Sequence, residues 1–149
     1  MTDWKLYRFE ELTTGVLYDI LVLRAEVFVV EQACPYLDPD GKDKLSLHLC
    51  GYEENGLIAY ARLIPPGIMY EEASIGRVLS KLTVRRTGMG RLLMQNAIDA
   101  CFKEFSNSPI RISAQLYLQK FYEELGFKII SNPYLEDDIP HIGMRLIKT

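Results

Sequence analysis

Bulky residues alternate with polar ones over Trp4–Phe9, with Trp4 and Leu6 on one side and Tyr7 and Phe9 on the other. A period of two predicts a first strand there. The period then lengthens: Leu17, Ile20, Leu21, Arg24 and Phe28 recur at helical spacing, and Thr13 or Thr14 can cap that helix by accepting a backbone N–H. Val27-Phe-Val-Val30 is rich in β-branched residues, which leaves the helix end open by several positions. Cys34-Pro-Tyr-Leu-Asp-Pro-Asp-Gly41 is dense in turn formers and reads as a loop. Its acids, with Asp43 beyond it, are expected to decorate a solvated surface or to meet a cationic substrate.

Two apolar runs, His48–Glu53 and Leu57–Ile64, flank Asn55-Gly56, a strong hairpin signal because both residues accept positive φ. Pro65-Pro-Gly67 ends the second run, and Ala73–Leu79 predicts another strand. A helix over about Gly88–Phe105 buries the stripe Met94, Ala97, Ile98, Cys101, Phe102 and Phe105. Then come a strand Ile110–Ala114, a short helix Tyr117–Leu125 with Gly126 as its C-cap, and a strand Phe127–Ile130. Pro133–Pro140 reads as loop and Ile142–Ile147 as a last strand. The order β-α-β-β-β-α-β-α-β-β is mixed α/β, with neither an unbroken βαβα alternation nor segregated halves.

Composition narrows the class. A chain of 149 residues with 48% apolar and 25% charged residues suits one domain with a sizeable core. The net charge of −3 argues against general nucleic-acid binding. No apolar run reaches the ~18 residues of a membrane span, and Met-Thr-Asp-Trp-Lys lacks the order of a signal peptide. Cys34, Cys50 and Cys101 are widely spaced without a C-x-x-C, as reduced thiols in a cytoplasmic protein would be. With His48 and His141 the only histidines, no metal site is expected.

Against that acidic balance, Ala73–Ile98 holds Arg77, Lys81, Arg85, Arg86 and Arg91 and no acid. Within it Gly88 and Gly90 sit at a strand-to-helix turn. Glycine lets a ligand approach the backbone, and a helix start offers unpaired N–H groups and a positive dipole end, so the turn reads as an anion site. An ordinary basic turn is the plainer alternative. There is no Walker A string, and G-x-G-x-x-G fails at Leu93.

The string Arg85-x-x-Gly88-x-Gly90 resembles the pyrophosphate-binding motif of GNAT (GCN5-related) N-acetyltransferases. Phe121-Tyr122 with Gly126-Phe127 matches a second segment of that family, in the right order, and the likeness covers essentially the whole chain. Arg24, Val27–Gln32, Cys34-Pro-Tyr36, Asp40-Gly41, Gly76-Arg-Val78, Ala114-Gln115 and Glu136–His141 resemble its ElaA-like branch. Arg24 with Phe28 is also similar to acyl-homoserine-lactone synthases, which share the GNAT fold. Three positions depart from the pattern. Arg86 stands where the family usually has Gly, and suits the turn at negative φ. Lys81-Leu-Thr83 replaces a common Pro, and Gln115 replaces the usual Asn.

The resemblance implies a mostly antiparallel central sheet flanked by helices, in a single domain over residues 1–149. It implies acetyl-CoA as acyl donor to a primary amine of a small molecule or peptide, by direct attack in a ternary complex. Pyrophosphate would sit on backbone N–H groups of Arg86, Thr87, Gly88, Met89, Gly90 and Arg91, with the Arg85 side chain nearby and Gln115 also on the cofactor side. Val78, Leu79 and Ser80 would hold the pantetheine arm. Tyr122 occupies the place of the family's general acid for the leaving thiolate, although an amphipathic core tyrosine would look the same. Glu31 and His141 are the candidate bases, each with a plain surface alternative. Cys34 as a nucleophile lacks an adjacent charged partner in sequence. The acidic residues of 38–43 and 136–138 favour a cationic acceptor. A longer-chain acyltransferase and a non-catalytic acyl-CoA-binding module are the other readings, and a homodimer is left open.

Overall fold

The structure is a computed structural model that describes residues 1–54 and 56–149. Its strands are β1 (Asp3–Arg8), β2 (Leu47–Glu53), β3 (Gly56–Ile64), β4 (Ala73–Ser80), β5 (Ile110–Gln115), β6 (Lys128–Ile129), β7 (Tyr134–Glu136) and β8 (Ile139–Leu146). Its helices are α1 (Thr14–Arg24), α2 (Met89–Glu104) and α3 (Gln119–Glu124). The strands form one sheet in the order β1-β2-β3-β4-β5-β8-β6, with β7 added to β8. Every pairing is antiparallel except β4 with β5. That is the expected mixed, mostly antiparallel sheet flanked by helices. The Asn55 half of the Asn-Gly hairpin signal lies outside the described residues.

Helix α2 covers one face of the sheet through Met89, Leu93, Met94, Ala97, Ile98 and Cys101, all buried. Met89, Leu93, Met94 and Ile98 contribute about 1.5–3 kcal/mol each when removed from water, so the stripe fixes where the helix start points. Phe102 and Phe105 pack only partly. On the other face α1 buries Ile20 and Leu23 against Cys50, Leu57, Tyr60 and Leu79. Thr13 caps α1 by accepting the Val16 N–H at 3.2 Å. The β-branched run does not end this helix. Instead Ala25–Glu31 continue it as a π-helical turn, a widening that re-aims side chains and is frequent at functional sites.

Two expectations need correction. Pro133–Pro140 is not a loop: Tyr134–Glu136 pairs with β8 through Tyr134↔His141 and Glu136↔Ile139. The hairpin escapes sequence reading because its two-residue turn is Asp137-Asp138 rather than Asn-Gly. Both residues nonetheless take positive φ, 50° and 62°, as a type I′ turn requires. The second correction concerns the acids of the 38–43 loop. Asp38 and Asp43 are buried, because Arg24 and Arg62 are buried beside them and demand counter-charges.

Candidate active site

Strands β4 and β5 pair only at Ala73↔Ile110 and Ser74↔Arg111. Beyond Ser74 they diverge, and the sheet opens into a cleft of about 590 Å³ lined by Ile75–Ser80 on one side and Ile112–Gln115 on the other. A second irregularity sharpens the opening. Tyr60 faces Leu79 and Arg62 faces Gly76, so β4 carries one extra residue over this stretch, with Arg77 at φ 51°. A bulge of this kind leaves a residue out of the ladder. Unladdered backbone is therefore available inside the cleft, beside Val78, Leu79 and Ser80.

The bulge is held by buried charge. Arg77 donates Nε to Asp38 Oδ1 and Nη2 to the Asp38 carbonyl, both at 2.8 Å. Asp38 Oδ2 accepts Arg24 Nε at 2.8 Å, and Asp43 Oδ1 accepts Arg24 Nη1 at 2.7 Å and Arg62 Nη1 at 2.9 Å. Arg62 also clamps both Asp40 oxygens, at 2.8 and 2.9 Å. Burial alone would raise the Asp40 and Asp43 carboxyls, but the hydrogen bonds from the arginines overcome it and hold both below the usual range. Tyr36 donates to Asp38 Oδ1 at 3.0 Å, and burial pushes its phenol up to about 12. Arg62 Nε is the one side-chain polar atom fully sealed from solvent without a partner among the described residues.

At one end of the cleft stands the glycine turn. Gly88 is the N-cap of α2 at φ 86° and offers no side-chain cap, so the first N–H groups of the helix face outward without a side-chain acceptor at the cap. A Cβ on Gly88 or Gly90 would meet no atom closer than 4.0 Å, so the turn has open space in front of it. Arg86 takes φ 64°, not the negative value expected of a non-glycine residue there. This is the left-handed geometry that the family's usual Gly adopts without strain. Thr87 Oγ1 donates to the Val84 carbonyl, and Arg91 pairs with Glu124 at 2.7 Å. An uncapped helix start, exposed Arg86 and open space fit a pyrophosphate. Met89 is buried beneath the turn, and Gln115 ends β5 directly across from His141.

Arg85 and Glu31 meet each other. Arg85 Nη1 and Nη2 donate to the two Glu31 oxygens at 2.6 and 2.9 Å, while Nε and Nη2 also donate to the Ser80 carbonyl at 3.1 and 2.9 Å. The hydrogen bond from Arg85 keeps the Glu31 carboxyl below its ordinary value, which makes it a weaker base. Tyr122 lies in the cleft wall with its ring edge-on to Phe121 and Phe127, at 5.1 and 5.8 Å between centroids. Its hydroxyl has no hydrogen-bond partner among the described residues, and burial pushes it up to about 12. It therefore keeps its proton across neutral pH.

His141 lines the same cleft and is buried. Its Nδ1 lies 2.7 Å from the Ile139 carbonyl. A carbonyl only accepts, so Nδ1 carries hydrogen, and in the neutral ring Nε2 holds the free lone pair. Glu136 Oε2 lies 3.5 Å from that Nε2. Cys34 Sγ donates to the Asp137 carbonyl at 3.6 Å across the cleft. Among the described residues no group of His, Cys, Asp or Glu is arranged to hold a metal ion, and no helix is long and apolar enough to cross a membrane.

Comparison with known proteins decides the family. Residues 42–148 match the family described as acetyltransferase (GNAT) domain. The chain belongs to the GNAT family. It is 46% identical to a UPF0039 protein of Schizosaccharomyces pombe, over 93% of this chain and 92% of that one. Among solved structures it resembles an acyl-CoA N-acyltransferase from Pseudomonas aeruginosa, at TM-score 0.94 and 42% identity, over 98% and 99% of the two chains. It also resembles Escherichia coli ElaA, at TM-score 0.92 and 38% identity over 98% and 99%. A CoA-dependent acyl-homoserine lactone synthase aligns at TM-score 0.77 with 16% identity, over 99% of this chain and 83% of that one, a likeness of fold alone.

As a GNAT-fold protein the chain is built for acyl-CoA-dependent N-acyl transfer. Sequence reasoning assigned no place in this GNAT cleft to several of its residues. Tyr36, Tyr70 and Ser113 line it, and Arg77 fixes its bulge. Only Arg24 on an otherwise apolar helix face hinted at a buried ionic centre.

Proposed function

We propose that this GNAT protein is an acetyl-CoA-dependent N-acetyltransferase, acting on a primary amine by direct attack in a ternary complex. The observation that carries the reading is the single cleft running from the uncapped start of α2, through the β4/β5 opening, to Tyr122 and His141. Backbone N–H groups of Arg86–Arg91 receive the pyrophosphate, with Arg86 beside them. Val78–Ser80 and Gln115 flank the pantetheine arm, and a free N–H of the β4 bulge polarises the thioester carbonyl. Tyr122 protonates the departing sulfur. His141 Nε2 takes the proton of the amine, whereas Glu31, tied to Arg85, serves to hold Arg85 against the end of β4. The 149 residues work as one domain, and the free thiols of Cys34, Cys50 and Cys101 suit a cytoplasmic setting.

The test is thiol release from acetyl-CoA across an amine panel, with acetyl-CoA binding measured first by calorimetry. Tyr122→Phe should lower kcat by roughly 10²–10⁴-fold with little change in acetyl-CoA affinity. A fall below about threefold would assign Tyr122 to packing, since general-acid help is worth far more than that. Binding without turnover on any amine would favour an acyl-CoA-binding module. Preference for longer chains in a series of acyl-CoAs would favour the broader acyltransferase that the lactone-synthase fold likeness suggests.

A further inference from the structure

The charges lining the cleft are unevenly spent. Arg62 is paired with Asp40 and Asp43, Arg77 with Asp38, and Arg85 with Glu31. Glu136 and Asp137 line the same cleft and have no Lys or Arg within salt-bridge distance among the described residues. A second observation points to a ligand there. His141 is 6% exposed and lines the cleft; its Nδ1 is taken by the Ile139 carbonyl, while Nε2 makes no hydrogen bond among the described residues and lies 3.5 Å from Glu136 Oε2.

The local construction holds both groups still. Pairing of Tyr134 with His141 puts Tyr134, Glu136 and His141 on one face of the hairpin. The Tyr134 ring stacks on the imidazole at 6.2 Å. Ser113 of β5 lies within hydrogen-bond distance of Tyr134 Oη and donates to Glu136 Oε1 at 3.1 Å. The Ile139 carbonyl fixes the tautomer. Nε2 and Oε2 are 3.5 Å apart, so one nitrogen can sit about 2.8 Å from both.

We propose that Glu136 and His141 form the receiving end of the acceptor site: Glu136 binds the acceptor as an ammonium ion and His141 Nε2 takes its proton. The acceptor class is a cationic primary amine whose remainder carries no carboxylate, because Asp137 follows Glu136 at the same mouth. The inference rests on the acetyl-transfer reading for its chemistry, though not for its binding site. The ammonium loses one proton to Nε2, and the free amine attacks the thioester carbonyl, forming C–N. Collapse of the adduct breaks C–S, and the sulfur takes the Tyr122 proton. The second nitrogen proton restores the tyrosine, and the imidazolium discharges to water. The balance is one proton released per amide formed. Glu136 is thereby both the specificity determinant and the positioning residue of the base.

The experiment follows the imidazole ring signals by NMR in the full-length protein. There are only two, and His48, sealed between Tyr60 and the Asp43 carbonyl, is the internal reference. Titration with 1,4-diaminobutane should move the His141 signal and leave His48 still. 4-Aminobutanoate and 1-butanol should act only at much higher concentration. Glu136→Gln should weaken diamine binding about tenfold or more, and Glu136→Asp should recover part of it. In turnover, Glu136→Gln should raise KM for the diamine more than it lowers kcat. The side chain is 51% exposed, so the variant will fold. Unchanged affinity in Glu136→Gln, equal binding of 4-aminobutanoate, or a silent His141 signal with every amine would overturn the proposal. Amine binding at His141 without acetyl transfer would instead sink the acetyltransferase reading and leave the ammonium site standing.

Discussion

Asp43 serves three partners from one residue. Its Oδ1 accepts from Arg24 and Arg62, and its backbone carbonyl accepts from His48 Nε2 at 2.9 Å. Asp43→Asn leaves two buried guanidinium groups short of a counter-charge, and breaking such a pair costs about 3–5 kcal/mol. Urea unfolding should show that loss. It should also slacken Arg77 through the shared loop, and with it the β4 bulge. His48 adds a pH dependence. Its Nε2 donates to Asp43, so Nδ1 accepts from Tyr60 Oη at 2.6 Å, and the ring is neutral. Burial lowers its pKa, whereas the unfolded chain takes up a proton near pH ~6.5. The unfolded state binds more protons below that value, so stability falls as the pH drops from 7 toward 5. His48→Gln should flatten this part of the stability–pH curve. An unchanged slope would assign it to other groups.

Two elements depart from regular backbone where they border the cleft. The π-helical turn Ala25–Glu31 presents Val27, Phe28 and Glu31 to the cleft wall, a placement that a regular continuation of α1 would rotate away. The turn between β7 and β8 places Asp137 and Asp138 at positive φ. Aspartate tolerates the left-handed region better than most residues, yet glycine fits it without steric cost. Asp138→Gly should therefore stabilise the hairpin by about 0.5–1 kcal/mol, raising Tm by about 1–4 °C, and should leave Glu136 and His141 in place. A lower Tm would mean that the Asp138 side chain, not backbone strain, decides the turn. Arg86 shows the same compromise ahead of α2, where a charged side chain sits on left-handed backbone at φ 64°.

At the scale of the whole molecule, periodicity and turn residues alone specified most of the elements. The stripe from Met94 to Cys101, the Thr13 cap and the glycine turn are local facts, set by residues a few positions apart, so they could be read from the chain. The same holds for the uncapped start of α2, whose two glycines and basic surroundings lie within one short segment. The family was also legible, because its motifs are contiguous strings. What the sequence could not reveal depends on residues far apart in the chain. Arg24, Asp38, Asp43, Arg62 and Arg77 come from a helix, a loop and two strands, and only packing shows that the acids are buried counter-charges rather than a solvated cation trap. Glu31 meets Arg85 across 54 positions of chain, which changes the Glu31 carboxyl from a free base to a paired one. The opening between β4 and β5 is likewise a matter of how two strands diverge, not of what either contains. The sequence by itself determined most of the element types, the glycine turn and the family, because those rest on short-range pattern. The tertiary structure decided which charges are spent and which remain free in the cleft, because charge compensation is a property of distance in space.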